Sequence, residues 1–327
     1  MRVALTGVGH WHTPLYLSPL LDMEGVEVVC VSDPDPLIAK TLAERAGCNW
    51  EASVEALLDG HAPDLVFVLG SHGTMATSVR AVTERKIPLV VEKPAGLNES
   101  QVAELAAAAE LAGSFAAVPL VFRTSGFMEL VEEIAARERI LYADFKFVAG
   151  LPSRYREAGC HWMFDKAEAG GGVLTNLGVH FLDLFDLLGA GNASIVGSRL
   201  ANIHGEGDVE DYAAVSLHAG TVLGRVETAY LYPAPGGVFD MHFSVRTENH
   251  YLAANGPDQV ELSDLSGKRR MIQTTTTNMP IYPQFVVDVV DRVRNGRKPI
   301  AGLRDMTRVM HLVDQSYTIA GHGAVCA

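Results

Sequence analysis

Short runs rich in Val, Leu and Ala alternate with helix-period stretches through the first third of the chain. Residues 2–6, 26–32, 64–69 and 89–91 are nearly continuous apolar segments, the pattern of strands buried on both faces. Between them the periodicity predicts a helix after residue 12, one over 37–46 closed by Gly47, and a short one over 54–58 capped by Ser53. A further helix is predicted over 75–85, and an alanine-rich one runs to Leu111 from a capping box of Asn98 and Gln101. Strand–helix alternation of this kind predicts a parallel sheet covered by helices on both sides, a Rossmann-type domain.

The pattern then changes period. Over 140–148 one side of an extended chain carries Leu141, Ala143, Phe145 and Phe147, and similar short strands are expected at 195–200, 212–217, 223–230, 241–247 and 250–254. Helical periodicity is sparse until 285–293 and 306–313, apart from an apolar-periodic run that leaves Gly170-Gly171-Gly172 and continues to Leu188. The expected fold is therefore α/β: an N-terminal Rossmann parallel sheet over 1–121 and a C-terminal α+β domain over 122–327 with a largely antiparallel open sheet.

With 327 residues, two cores are within reach. The formal net charge is −13 and no basic run stands out, which argues against nucleic acid and anionic membrane as partners. A cofactor phosphate would have to be held by backbone amides. No apolar stretch reaches the ~18–20 residues of a membrane span, and the N-terminus lacks the apolar core and cleavage site of a signal peptide. Cys30, Cys48, Cys160 and Cys326 are widely spaced with no Cys-x-x-Cys pair. They read as reduced cytoplasmic thiols, neither a disulfide framework nor a metal site.

Candidate chemistry falls at two places. After the first strand comes Gly7-Val8-Gly9-His10-Trp11-His12, a glycine turn opening a helix, with His12 where a dinucleotide fingerprint has its third glycine. The second strand ends in Asp33, near the distance of ~20 residues expected for the acid that accepts the adenosine ribose hydroxyls. A carboxylate there favours NAD over NADP. The same sheet edge carries Gly70, Ser71 and His72, and then Glu92-Lys93-Pro94 after the strand 89–91. The second place is the helix after the triple glycine. Asn176, His180 and Asp183 are spaced i, i+4 and i+7 on one face, and Gly178 sits mid-helix as if something approached its backbone closely. Upstream, the segment from Pro152 to Asp165 supplies Tyr155, His161 and Trp162, which read equally as a substrate-pocket lining or as an exposed loop with Trp162 pinned to the core.

Taken in order, Gly7-Val8-Gly9, Asp33, Glu92-Lys93-Pro94, Arg123, Gly170-Gly171-Gly172 through His180 and Asp183, Glu210-Asp211 and Asn295-Gly296-Arg297-Lys298-Pro299 resemble the glucose–fructose oxidoreductase / inositol dehydrogenase / MocA family. The likeness covers nearly the whole chain. It implies an NAD(P)-dependent dehydrogenase moving a hydride between nicotinamide and a secondary alcohol or ketone of a sugar, cyclitol or related polyol. It implies Lys93 as the lysine that meets nicotinamide and substrate and His180 as the catalytic histidine, with Asn176 at a position that is often aspartate. Cofactor contacts are expected from Gly7 to His12, Asp33, Gly70 to His72, Glu92 and Lys93. Substrate contacts are expected from Arg123, Tyr155, His161, Trp162, Asn176 and His180. A homodimer or homotetramer through the C-terminal sheet is also implied. Met75, like His12, departs from the family pattern. Two other outcomes stay open on this scaffold: a redox-neutral enzyme that keeps its NAD for transient oxidation, and a non-catalytic sugar or dinucleotide sensor.

Overall fold

The apolar runs of the first third become six parallel strands in a computed structural model that describes residues 1–234 and 237–321; Cys326 lies outside the described residues. The strands are β1 (Arg2–Thr6), β2 (Glu27–Ser32), β3 (Asn49–Glu51), β4 (Leu65–Val68), β5 (Leu89–Val91) and β6 (Ala116–Ala117). They lie in the order β3-β2-β1-β4-β5-β6, the doubly wound order. Every ladder is parallel, with Leu5 opposite Val31 on one side and Phe67 on the other. Helices over 13–22, 36–46, 54–61, 72–84 and 99–112 connect them. β3 and β6 are too short to leave a period in the sequence, and β3 is a polar edge.

Local chemistry sets the helix ends. Asp35 Oδ1 accepts the Leu37 N–H at 2.9 Å, and Gly47 closes that helix with φ 68°. Ser53 Oγ accepts from Ala56 N at 3.2 Å. Asn98 Oδ1 accepts from Gln101 N at 3.0 Å as a capping box requires, but Gln101 Oε1 returns to Leu97 N, one residue earlier than the standard box.

The described residues divide into two compact units. The first holds Met1–Pro119, but also Tyr155–Gly170 and Tyr282–Thr307; the second holds Leu120–Arg154, Gly171–Ile281 and the described chain from Arg308. A single boundary after residue 121 thus leaves out two later segments that pack with the first sheet. One of them contributes the Val118 N–H to Ala301 O bond, 3.0 Å, at the end of β6.

The second unit is an eight-stranded sheet of β7 (Ile140–Gly150), β8 (Ser194–Ala201), β9 (Tyr212–Ala219), β10 (Val222–Tyr232), β11 (Phe239–Thr247), β12 (His250–Ala254), β13 (Gln259–Asp264) and β14 (Arg269–Gln273). Its order is β14-β13-β12-β11-β7-β10-β9-β8, antiparallel except for the central β7–β10 pair. β13 and β14 escape the sequence pattern because only Val260 and Leu262 of β13, and no residue of β14, are buried. Phe145, Phe147 and Phe243 project from one face onto Phe181 of the helix Val179–Leu188, with ring centroids 5.1–6.2 Å apart. No helix among the described residues is long and apolar enough to cross a membrane.

Candidate functional site

At the carboxyl edge of the first sheet the chain turns sharply after β1. Gly7 has φ 70°, donates its N–H to Ser32 O at 2.8 Å, and leaves no room for a Cβ, which would fall on Leu69 O. Gly9 donates to Asp33 Oδ2 at 2.8 Å, and a Cβ on it would lie 3.2 Å from that oxygen and 3.3 Å from Ile38 Cδ1. Asp33 Oδ1 also accepts from Asp35 N at 3.0 Å, so the carboxylate shapes the turn before Pro34 as well as facing the glycine loop. Two lone pairs remain for a ligand hydroxyl.

These groups line a cavity of about 450 Å³ in the first unit, within the usual range for small-ligand sites. Of the residues expected to contact a cofactor, Gly7, Gly9, His10, Asp33, Gly70 and Ser71 line it. Trp162 and Gly159 line it too, so the tryptophan read as a substrate contact stands beside the glycine loop. Thr74, Thr77 and Ser78 on the helix His72–Glu84 are polar wall residues that no motif marked. Tyr155 packs edge-on against Trp11 at 4.8 Å, whereas His161 is exposed.

Beside the cavity lies a buried polar cluster. Glu92 is 1% exposed; its Oε2 accepts the Tyr16 hydroxyl and the His12 Nδ1–H (3.2 Å), and its Oε1 accepts the Lys93 N–H at 3.0 Å. Burial alone would raise the Glu92 pKa, but His12 and Lys93 outweigh it and hold the carboxyl ionised, well below the usual range. The same burial, together with Glu92, pushes the Tyr16 and Tyr282 phenols up. Lys93, 2% exposed, sits with Nζ 5.8 Å from the Trp11 ring centroid. His12 therefore stands where a glycine was expected because its ring reaches Glu92. Tyr16 and Tyr282 had no sequence signal at all.

His72 is fully buried, with Nδ1 2.7 Å from Ala169 O and its ring 4.8 Å from that of Trp162. Burial lowers its pKa to about 3, and it lowers that of His10 as well. A histidine whose folded pKa lies below its unfolded one binds fewer protons than the unfolded chain, so it adds stability that disappears as pH falls from about 6.5. Thermal denaturation should show melting temperature falling from pH 7 to pH 5, with a shallower fall in His72→Asn. Equal slopes in the two proteins would remove His72 as a cause.

In the second unit the triple glycine is explained by what surrounds it. A Cβ on Gly171 would strike the Tyr317 hydroxyl, and one on Gly172 the Glu210 carbonyl. The Glu210 carboxylate accepts Gly172 N at 2.9 Å and Leu174 N at 3.0 Å, tying down the start of the following helix. Burial raises the Glu210 pKa against the pull of these bonds. The helix opens not as an α-helix but as a π-helical turn, Leu174–Gly178, before the α-helix Val179–Leu188. Gly178 is small because Leu174 Cδ1 and Thr228 Oγ1 crowd its Cβ position at 2.7 and 3.3 Å; protein, not ligand, approaches it.

Asn176 Nδ2 donates to Tyr230 Oη at 2.6 Å, and the Arg154 guanidinium lies 4.9 Å from the Tyr230 ring centroid. His180, 2% exposed, meets Phe122 edge-on at 5.3 Å. Arg123 and Asp183 form a bidentate pair, Nε–Oδ2 2.8 Å and Nη2–Oδ1 2.6 Å. The arginine expected to select substrate thus bonds to the helix that carries His180.

A doubly wound parallel sheet with a glycine turn and a facing acid at its carboxyl edge is the architecture of a Rossmann-fold oxidoreductase. Residues 1–120 match the Gfo/Idh/MocA oxidoreductase family with its NAD-binding Rossmann fold, and residues 139–251 match the C-terminal domain of the same family. The chain belongs to that family. A protein of Amycolatopsis mediterranei (strain S699) described as a UDP-kanosamine synthase oxidoreductase subunit is 29% identical over 197 residues, covering 58% of this chain and 51% of that protein. The match thus spans about half the length of that relative. GenD2 from gentamicin A biosynthesis, in complex with NAD, superposes with a TM-score of 0.83 at 22% identity, over 98% of this chain and 94% of that one. Levoglucosan dehydrogenase, in complex with NADH and levoglucosan, gives 0.84 at 18% identity, over 98% and 97%. At these identities the two structures establish a shared fold.

Proposed function

We propose that the chain is an NAD-dependent dehydrogenase acting on a secondary alcohol of a sugar or related polyol, with NAD preferred over NADP. The observation that carries the reading is the Asp33 carboxylate on the wall of the same cavity as Gly7 and Gly9. That carboxylate accepts a ribose 2′-hydroxyl and repels a 2′-phosphate. The sugar class rests on relatives whose names include a UDP-kanosamine synthase subunit and levoglucosan dehydrogenase.

NAD, when bound, supplies the hydride acceptor. The residues of the chain divide the remaining work. Neutral His180 takes the hydroxyl proton of the alcohol, since an imidazole titrates near working pH. The Lys93 ammonium steadies the negative charge that develops on the substrate oxygen. Glu92, ionised and bonded to the Lys93 N–H, fixes the backbone from which that side chain projects. Asn176, held by Tyr230, orients the sugar without titrating. The active species is a homodimer or homotetramer through the second sheet.

Titration of the cofactor-stripped protein with NADH and NADPH, read by fluorescence or calorimetry, tests the cofactor assignment. NADH should bind at least about tenfold tighter, a difference of about 1.4 kcal/mol, and Asp33→Ala should narrow the gap. Equal affinity for the two dinucleotides would remove the role given to Asp33.

A further inference from the structure

The segment Tyr155–Gly170 belongs to the first unit, although the chain before and after it belongs to the second. It runs between two of the turns that shape the cavity. At the glycine turn after β1, the Cys160 thiol donates to Gly9 O at 3.4 Å, and the rings of Tyr155 and Trp162 stand 4.8 and 5.7 Å from that of Trp11. At the turn after β4, Ser71 Oγ donates to Glu168 Oε2 at 3.2 Å. Beside it the His72 ring donates through Nδ1 to Ala169 O at 2.7 Å, since a carbonyl only accepts. Gly9 and Ser71 line the cavity, and so do Gly159 and Trp162 of the segment itself. The segment is a strap, fastened at both turns, that forms part of the cavity wall.

The strap is a thin layer that keeps its own shape. Cys160, Phe164 and Ala169 are buried on its inner side, while Glu157, Asp165 and Lys166 are exposed to water. Cys160 N donates to Tyr155 O at 2.8 Å, Ala167 N donates to Asp165 Oδ1 at 2.8 Å, and the Arg156 guanidinium lies 4.0 Å from the Phe164 ring centroid. None of these contacts involves the turns, so the fastenings can break together while the strap stays folded. The bond to Ala169 also gives a use to His72, a buried imidazole that the mechanism above leaves idle.

We propose that the strap gates cofactor exchange: the dinucleotide enters and leaves when Glu168 and Ala169 lift from the turn after β4. The gate presupposes the dinucleotide reading above. A gate that is closed in both the empty and the loaded protein slows entry and exit by one factor and leaves affinity alone. A residue that merely touches the ligand acts differently, shifting affinity through the exit rate. The two roles therefore separate in the rates.

A reversible staple tests it. A Cβ on Gly73 would lie 3.7 Å from Glu168 Cα, close enough for a disulfide, so Gly73→Cys with Glu168→Cys can bond the strap to the helix His72–Glu84. Neither residue lines the cavity. NADH association and dissociation are followed by stopped-flow fluorescence on the cofactor-stripped protein. Alkylation of Cys160, 1% exposed beneath the strap, is followed by peptide mass spectrometry without cofactor. Oxidation of the double variant should slow both NADH rates by a common factor of about ten or more, with the dissociation constant held within about twofold. It should also suppress Cys160 alkylation, and reductant should reverse all of these changes, while wild-type protein responds to neither reagent. Equal NADH rates in the oxidised and reduced variant overturn the gate. So does a change in the exit rate alone, with affinity moving in step, which would make the strap a ligand contact. Cys160 alkylation that the staple leaves unchanged overturns the opening of the strap by itself, since that readout needs no cofactor. A wild-type protein that binds no NADH overturns the function proposed above, and the gate with it.

Discussion

Asp183→Ala is expected to destabilise the second unit by about 3–5 kcal/mol, the range for breaking a buried ion pair by removing one partner. The pair is almost dry: the Arg123 and Asp183 side chains are 9% and 2% exposed, and both contacts are at hydrogen-bond distance. Removing the carboxylate leaves a guanidinium, which cannot shed its proton, without the anion that offset its desolvation. Chemical denaturation of the variant should show the midpoint shifting with little change in slope. Replacing both partners with apolar residues, Arg123→Met with Asp183→Leu, should recover most of the loss, because no charge is then left buried. A single-variant loss below about 1 kcal/mol would mean that water reaches the pair and that it behaves as a surface contact.

His180→Ala should lower turnover by about 10²–10⁴, the usual contribution of a positioned general base. NADH affinity should stay within a factor of about two. If the proposed activity holds, steady-state kinetics on a sugar that the protein turns over reads the first quantity and direct titration the second. A normal rate in this variant would remove His180 from the mechanism and leave the proton to another group. A normal rate with lost cofactor affinity would make it a binding residue.

Local chemistry was legible in the sequence wherever sterics or short-range capping control the backbone. Gly7 and Gly172 could be read because no Cβ fits at either place, and Asn98 because a cap needs only the next turn. The parallel sheet covered on both faces followed from the alternation of apolar runs with helix periods, whereas its strand order appears only in the structure. Contacts made across the fold left no such trace. Trp162 could be read as a pocket residue, but nothing near it in the chain places it on the same cavity wall as Gly9, about 150 positions away. Tyr16, Tyr282 and Tyr230 are anonymous aromatics until folding sets them beside Glu92, His12 and Asn176. The helical face of Asn176, His180 and Asp183 was drawn with 3.6 residues per turn throughout, and the π-helical start alters that spacing for Asn176. Gly178 was open to a ligand in sequence terms, and only the packed strand β10 shows that Thr228 occupies the room.

The first unit is threaded from three separate stretches, the last of which ends at Thr307. During synthesis, then, the nascent chain can build the parallel sheet early, but it cannot seat Trp162 on the cavity wall until half of the chain is made, or Tyr282 beside Tyr16 until most of it is. A fragment ending at residue 119 would keep the strands and lose these lids, exposing Tyr16 and the Glu92 carboxylate to water. The polar cluster around Glu92 is in this sense among the last parts of the first unit to be enclosed, although the glycine turn beside it is translated first.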